Sequence, residues 1–184
     1  MFQKAVFPGK YIQGEGVLDQ LPQWISVFGK KGLILATRSA KEKILAPYAD
    51  VLKSSCISVE LFPGECCEKE LSRLAEVIRR EGVDVLVGMG GGKAIDTAKI
   101  AADRAGLPVV IVPTIASTDA PCSGCAVLYT EEGAFSSVHY QKMNPQIVLV
   151  DTKVIAQAPA RFLIAGMGDA LATWFEARSC DRTQ

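Results

Sequence analysis

A chain of 184 residues can form one good-sized domain, or one plus the start of a second, since domains usually run to about 100–200 residues. A composition that is 49% hydrophobic and 22% charged, with 16 glycines, excludes a disordered chain and a collagen-like repeat and calls for a buried core. Twenty basic residues balance twenty acidic ones, and without a concentrated Lys/Arg patch neither nucleic acid nor an anionic membrane is favoured, which leaves a small molecule as the expected partner.

The opening Met1-Phe2-Gln3-Lys4 leads into Pro8-Gly9-Lys10 without the apolar stretch of a signal peptide. No window reaches the roughly 18 apolar residues a membrane span needs, so a cytoplasmic location is expected. In such a reducing compartment the six cysteines, Cys56, Cys66, Cys67, Cys122, Cys125 and Cys180, read as thiols and not as a disulfide framework.

Gly32 precedes the apolar run Leu33 to Thr37, which suits a strand buried on both faces. Ser39 then offers a cap for a helix to about Leu52. A strand is expected over Ile57–Phe62, ended by Pro63-Gly64, and a helix over Glu68–Arg80, where Leu71, Leu74, Ala75 and Ile78 recur at helical spacing before Gly82. Asp84–Gly88 reads as a third strand, Lys93–Arg104 as a helix and Val109–Val112 as a fourth strand. Strands and helices alternating in this rhythm predict an α/β fold, a Rossmann-like parallel sheet with flanking helices. The pattern changes from Ala126, where Val127–Thr130 and Phe135–Tyr140 around Glu131-Glu132-Gly133 read as a hairpin, followed by a buried strand at Ile147–Val150. Ala160–Cys180 is helical in composition but interrupted at Gly166-Met167-Gly168-Asp169, which predicts two helices with Asp169 as the cap or in the first turn of the second.

The turn Gly88-Met89-Gly90-Gly91-Gly92-Lys93 lies between a predicted strand and a predicted helix. Bare backbone N–H groups and the positive helix end can there hold phosphate oxygens. The run matches neither the triphosphate loop, since Ala94 follows Lys93, nor the dinucleotide fingerprint, since Lys93 occupies the place of its third glycine. A tight turn without a ligand is the alternative. His139 is expected to be a surface or hydrogen-bonded residue. Cys122-Ser123-Gly124-Cys125 has no second pair at zinc-binding spacing.

Three strings together, Gly90–Lys99, Pro113–Ser123 and Gly166–Ala172, with Pro8-Gly9-Lys10-Tyr11-Ile12-Gln13-Gly14 at the start, closely resemble the glycerol dehydrogenase branch of the iron-type alcohol dehydrogenase superfamily. The resemblance covers essentially the whole chain. It implies a dehydroquinate synthase-like N-terminal α/β domain over residues 1–158 and, over 159–184, the start of an all-helical metal-binding domain. The activity implied is NAD(P)-dependent oxidation of a small polyol, such as glycerol to dihydroxyacetone, by a homo-oligomeric parent enzyme. Gly92 and Lys93, with Gly90 and Gly91 in the same turn, would meet the cofactor's diphosphate. Thr114, Ser117, Ser123, Cys125 and Tyr129 would line the rest of its groove, with Cys125 standing where an aliphatic residue is expected. Asp119 would hydrogen-bond a substrate hydroxyl. Asp96 recurs in the motif and carries no assigned chemistry beyond steering Lys93.

The resemblance also implies a divalent metal, zinc by expectation, held by one aspartate and two histidines. Asp169 matches the aspartate, and both histidines are expected beyond Gln184, so the site in this truncated chain is expected to be incompletely ligated and the chain inactive alone. Thr37 stands where NAD-selective relatives carry a ribose-binding aspartate. With Arg38 beside it, NADP enters as an alternative to NAD. A non-catalytic nucleotide-binding remnant is a second reading. A dehydroquinate synthase-like lyase is a third, opposed by Ser117-Thr118-Asp119-Ala120-Pro121-Cys122. Leu171, Ala172, Trp174 and Phe175 are expected to form an exposed apolar face for the missing domain.

Overall fold

A computed structural model describes residues 5–182 of the chain; Met1–Lys4 and Thr183–Gln184 lie outside them. The elements in order are β1 (Lys10–Gly14), α1 (Leu21–Ser26), β2 (Gly32–Ala36), α2 (Ala49–Ser54), β3 (Ile57–Leu61), α3 (Glu68–Glu81), β4 (Val85–Gly90) and α4 (Gly92–Ala105). They continue with β5 (Val109–Pro113), β6 (Cys125–Tyr129), β7 (Phe135–Tyr140), β8 (Ile147–Asp151), α5 (Thr152–Gln157) and α6 (Ala160–Arg182). Six strands make one sheet in the order β1-β8-β5-β4-β2-β3, and each neighbouring pair is parallel. The expected α/β class is therefore the observed one. β6 and β7 form a separate antiparallel hairpin.

The sheet is parallel because its central strands are apolar on both faces. Along β2, Leu33 and Leu35 enter the core beneath α3 and α4 with Leu71, Leu74, Ile95 and Ala98. Ile34 and Ala36 enter the opposite core with Leu21, Ile25, Leu45 and Leu52. A strand burying alternate side chains on two faces needs a helical layer on each, and that excludes the one-sided alternation of a solvated antiparallel sheet. From β2 the chain crosses outward to β3, whereas from β4 it crosses the other way to β5. The crevice at the carboxyl ends of β2 and β4 is thus the topological switch point, where open α/β sheets bind ligands.

Two expectations need correction. The segment from Ser39 to Leu52 is not one helix: a wide turn over Ala40–Ile44 and a tight one over Ala46–Tyr48 precede α2. Pro47 lacks an N–H and clashes with the carbonyl four residues back, which breaks the run. Ser39 makes no capping bond; the Thr37 hydroxyl instead accepts from the Ala40 N–H at 3.4 Å. Nor do Gly166 and Gly168 divide the last segment, because α6 is continuous for 23 residues. A Cβ at Gly166 would stand 2.2 Å from the Ala116 carbonyl oxygen, so this glycine serves a close helix-to-loop approach and does not end a helix. The strand β1 and the short helices α1 and α5 were not among the expected elements.

The turn into β2 is organised by Asp84, whose carboxylate accepts from the Lys30 and Lys31 N–H groups at 2.8 and 2.9 Å. These backbone bonds, Lys31 first, hold its carboxyl below the usual aspartate range. The Arg104 guanidinium does the same for Glu68, with a bidentate contact at 2.7 and 2.8 Å. Since the folded-state pKa lies below the unfolded value of about 3.9 for Asp, the stabilisation is present in full above that value and is lost as pH falls through the folded-state one. The midpoint of thermal unfolding should therefore drop as pH is lowered through and below about 4. Asp84→Asn should lower it at neutral pH and flatten this acid limb, as measured by circular dichroism melts across the pH series.

Candidate functional site

The helix α4 begins directly after β4, and its N-cap, Gly91, supplies no side chain to bond the first turn. The first N–H groups of a helix have no intrahelical acceptor, and they gather the positive end of its dipole. The cradle requires glycine for packing reasons. A Cβ at Gly90 (φ +156°) would lie 2.6 Å from the Thr37 methyl, and one at Gly91 would lie 2.8 Å from Ile115 Cδ1. A Cβ at Gly92 would meet only Thr118 Cγ2, at 3.5 Å, so packing does not demand a glycine there.

Three adjoining hollows cross the carboxyl ends of the strands. One of about 660 Å³ lies at the end of β2 against Thr37, Arg38, Ser39, Lys43 and Phe62. The next, about 470 Å³, shares Thr37, Ser39 and Lys43 with it and adds Gly91, Thr114 and Phe162. The third, about 580 Å³, shares Ile115 and Phe162 with the second and reaches Thr118, Asp119 and Cys122. Together they make one groove from Arg38, past the glycine turn, to Asp119. Thr114 is fixed at its centre, with its N–H on the Gly90 carbonyl at 3.0 Å.

Of the remaining expected residues, Lys93 does not stand bare. Its ammonium donates to Glu65 Oε2 at 2.6 Å and lies 4.6 Å from the centre of the Tyr129 ring. Glu65, which sequence reasoning passed over, is thus the residue that positions Lys93, and the expectation that Asp96 steers it is corrected. Asp96 turns inward to the Val127 N–H (3.0 Å) and the ammonium of Lys99 (3.4 Å).

Lys99 is wholly buried, and it was not read as a functional position. Its ammonium donates to the Ala120 carbonyl at 2.9 Å, to Ser123 Oγ at 3.1 Å and to the Cys125 carbonyl. The Ser123 hydroxyl and the Cys125 main-chain carbonyl are therefore engaged with this clamp. Burial pushes the Lys99 ammonium below its usual range, with the charge of Asp96 opposing, and pushes the Asp96 carboxyl up, with Lys99 opposing. The signal available in the sequence was an Asp-x-x-Lys pair on one face of an otherwise apolar helix.

Asp119 and Asp169 meet at the far end of the groove, where the Asp119 N–H donates to Asp169 Oδ2 at 3.0 Å. Asp169 lies in the middle of the continuous α6 and is neither the cap nor a first-turn residue of the separate second helix that was expected. The loop beneath carries Ser117, whose Cα is among the atoms that a Cβ at Gly166 would strike. Among the described residues no three His, Cys, Asp or Glu side chains are grouped to hold a metal ion, and His139 pairs with Asp103 at 2.9 Å. One carboxylate falls short of the three protein ligands usual at a catalytic metal, so these residues alone do not make such a site. Cys56, Cys66, Cys67, Cys122 and Cys125 are free thiols. No helix among the described residues is long and apolar enough to cross a membrane.

A parallel sheet with an open glycine turn at its switch point is an α/β arrangement of the kind that binds ligands at that crevice, and the family can be stated. Residues 8–152 match the iron-containing alcohol dehydrogenases, and the chain belongs to that family. It is 46% identical over 181 residues to a glycerol dehydrogenase of Thermotoga maritima, covering 98% of this chain and 50% of that protein. The crystal structure of a probable glycerol dehydrogenase from Sinorhizobium meliloti superposes with a TM-score of 0.87 at 47% identity, over 96% of this chain and 49% of the other. That of a Schizosaccharomyces pombe glycerol dehydrogenase gives a TM-score of 0.81 at 32% identity, over 95% and 45%. The chain spans about half the length of the curated relatives it matches.

The clamp yields a test. Lys99→Met leaves the buried Asp96 carboxylate and three acceptors without their cation, and should destabilise the fold by about 3–5 kcal/mol in urea unfolding. The double variant Lys99→Met with Asp96→Asn removes the stranded charge and should recover part of that loss.

Proposed function

We propose that this chain is the dinucleotide-binding part of a polyol dehydrogenase, its α/β domain spanning residues 1–158, with 159–184 opening a helical domain. The observation that carries the reading is the uncapped N-terminus of α4, set at the switch point between Thr37 and Thr114. There Gly91, Gly92 and Lys93 would receive a diphosphate, and Thr114 would flank the path to the nicotinamide. A bound nicotinamide dinucleotide supplies the acceptor for a hydride leaving the alcohol carbon. The exposed Asp119 carboxylate would accept a hydrogen bond from a hydroxyl of a substrate such as glycerol and so orient it, while the Asp119 N–H holds Asp169 in place. Zinc is the metal we would assign to Asp169. Its remaining ligands would come from the half of the enzyme that the relatives possess and these residues do not cover. Full polyol oxidation is accordingly proposed for the whole enzyme.

NADH binding to the 184-residue chain, followed by fluorescence, tests the reading. Gly92→Val fills the cradle with little clash, and should weaken binding about tenfold or more while leaving the melt close to the parent's. Binding that is indifferent to this change would remove α4's N-terminus from the site. Because Glu65 holds the Lys93 ammonium and repels an approaching diphosphate, Glu65→Gln should tighten binding several-fold, about 1 kcal/mol.

A further inference from the structure

We infer that the groove is built for the 2′-phosphorylated dinucleotide, NADP(H), with Lys43 and Arg38 as the cations that receive the 2′-phosphate. This rests on the dinucleotide reading proposed above and assigns the ligand of its outer end. The hollow at the end of β2 joins the one over the glycine turn through Thr37, Ser39 and Lys43. A dinucleotide with its diphosphate at Gly91 therefore places its adenosine half in that hollow, which lies between the β2 end and Pro63-Gly64.

The chemistry of the hollow suits an anion. Two cations, Arg38 and Lys43, line it against one carboxylate, Glu42. That carboxylate is matched to Arg38 at 3.5 Å, in a pair whose side chains are 74% and 59% exposed. Such a solvated pair holds weakly, and a phosphate dianion competes for the guanidinium through charge-assisted bonds. Lys43 has no ion-pair partner among the described residues. The Thr37 and Ser39 hydroxyls stand 3.4 Å apart on the same wall and can donate to phosphate oxygens. A free ribose, by contrast, presents two hydroxyls best met by an unpaired carboxylate acceptor, and the hollow has none.

The experiment compares NADPH with NADH, and 2′,5′-ADP with 5′-ADP, on the 184-residue chain by titration calorimetry. NADPH should bind about tenfold more tightly than NADH, a preference that shrinks as salt is raised. Arg38→Ala and Lys43→Ala, both exposed and outside the core, should each narrow the NADPH-to-NADH ratio by about three- to tenfold, with unchanged melts confirming the fold. NADH binding as tightly as NADPH, or a ratio that survives both substitutions, overturns this inference and leaves the dinucleotide reading standing. Failure of all four ligands to bind overturns both.

Discussion

The ammonium of Lys99 has no access to water, and an ion so placed is tolerated only where acceptors replace its hydration shell. Here the replacement comes from the Ala120 and Cys125 carbonyls, the Ser123 hydroxyl and the Asp96 carboxylate. Ala120 and Ser123 belong to the connection between β5 and β6, a stretch with little regular structure of its own, and Cys125 opens β6. The ion therefore ties that loop to α4, the helix that starts at the glycine turn. Asp119 lies within the loop, and its N–H in turn holds Asp169 of α6. The glycine-turn end and the Asp119 end of the groove are thus fastened to one helix by one buried charge.

The same helix explains the mixed electrostatics of the site. Its N-terminus offers positive potential at the switch point, yet the nearest cation, Lys93, is already balanced by Glu65 and packed against Tyr129. What remains for an anion at the turn is backbone, which binds by geometry and dipole. Uncompensated cationic charge lies instead at the outer end of the groove, in Lys43. In α4 the charge pair Asp96–Lys99 is buried, whereas Lys43 at the outer end is exposed.

Elements whose apolar residues face two cores were legible in advance, because burial on both faces leaves an uninterrupted apolar run, as in β2, β4, β5 and β8. The amphipathic stripe of α3 and its left-handed terminus at Gly82 (φ +63°) were legible for the same reason. The edge strand β1, Lys10–Gly14, has exposed or half-buried positions throughout and carried no such signal. Pro47 and Gly166 misled in opposite directions. The proline broke a helix that a capping residue, Ser39, suggested. The glycine, which suggested a break, sits within a helix because the Ala116 carbonyl comes too close for any side chain.

The sequence by itself determined that the protein is α/β, that a glycine turn joins a strand to a helix, and which family's motifs it carries. These are local or periodic properties, written into a few consecutive residues. Only the tertiary structure decided that Asp96 and Lys99 serve a clamp, that Glu65 reaches Lys93 across 28 positions, and that the Ser123 hydroxyl and the Cys125 carbonyl are acceptors in that clamp. Each depends on parts of the chain far apart in sequence, and side-chain partners chosen across such distances leave no period or spacing behind.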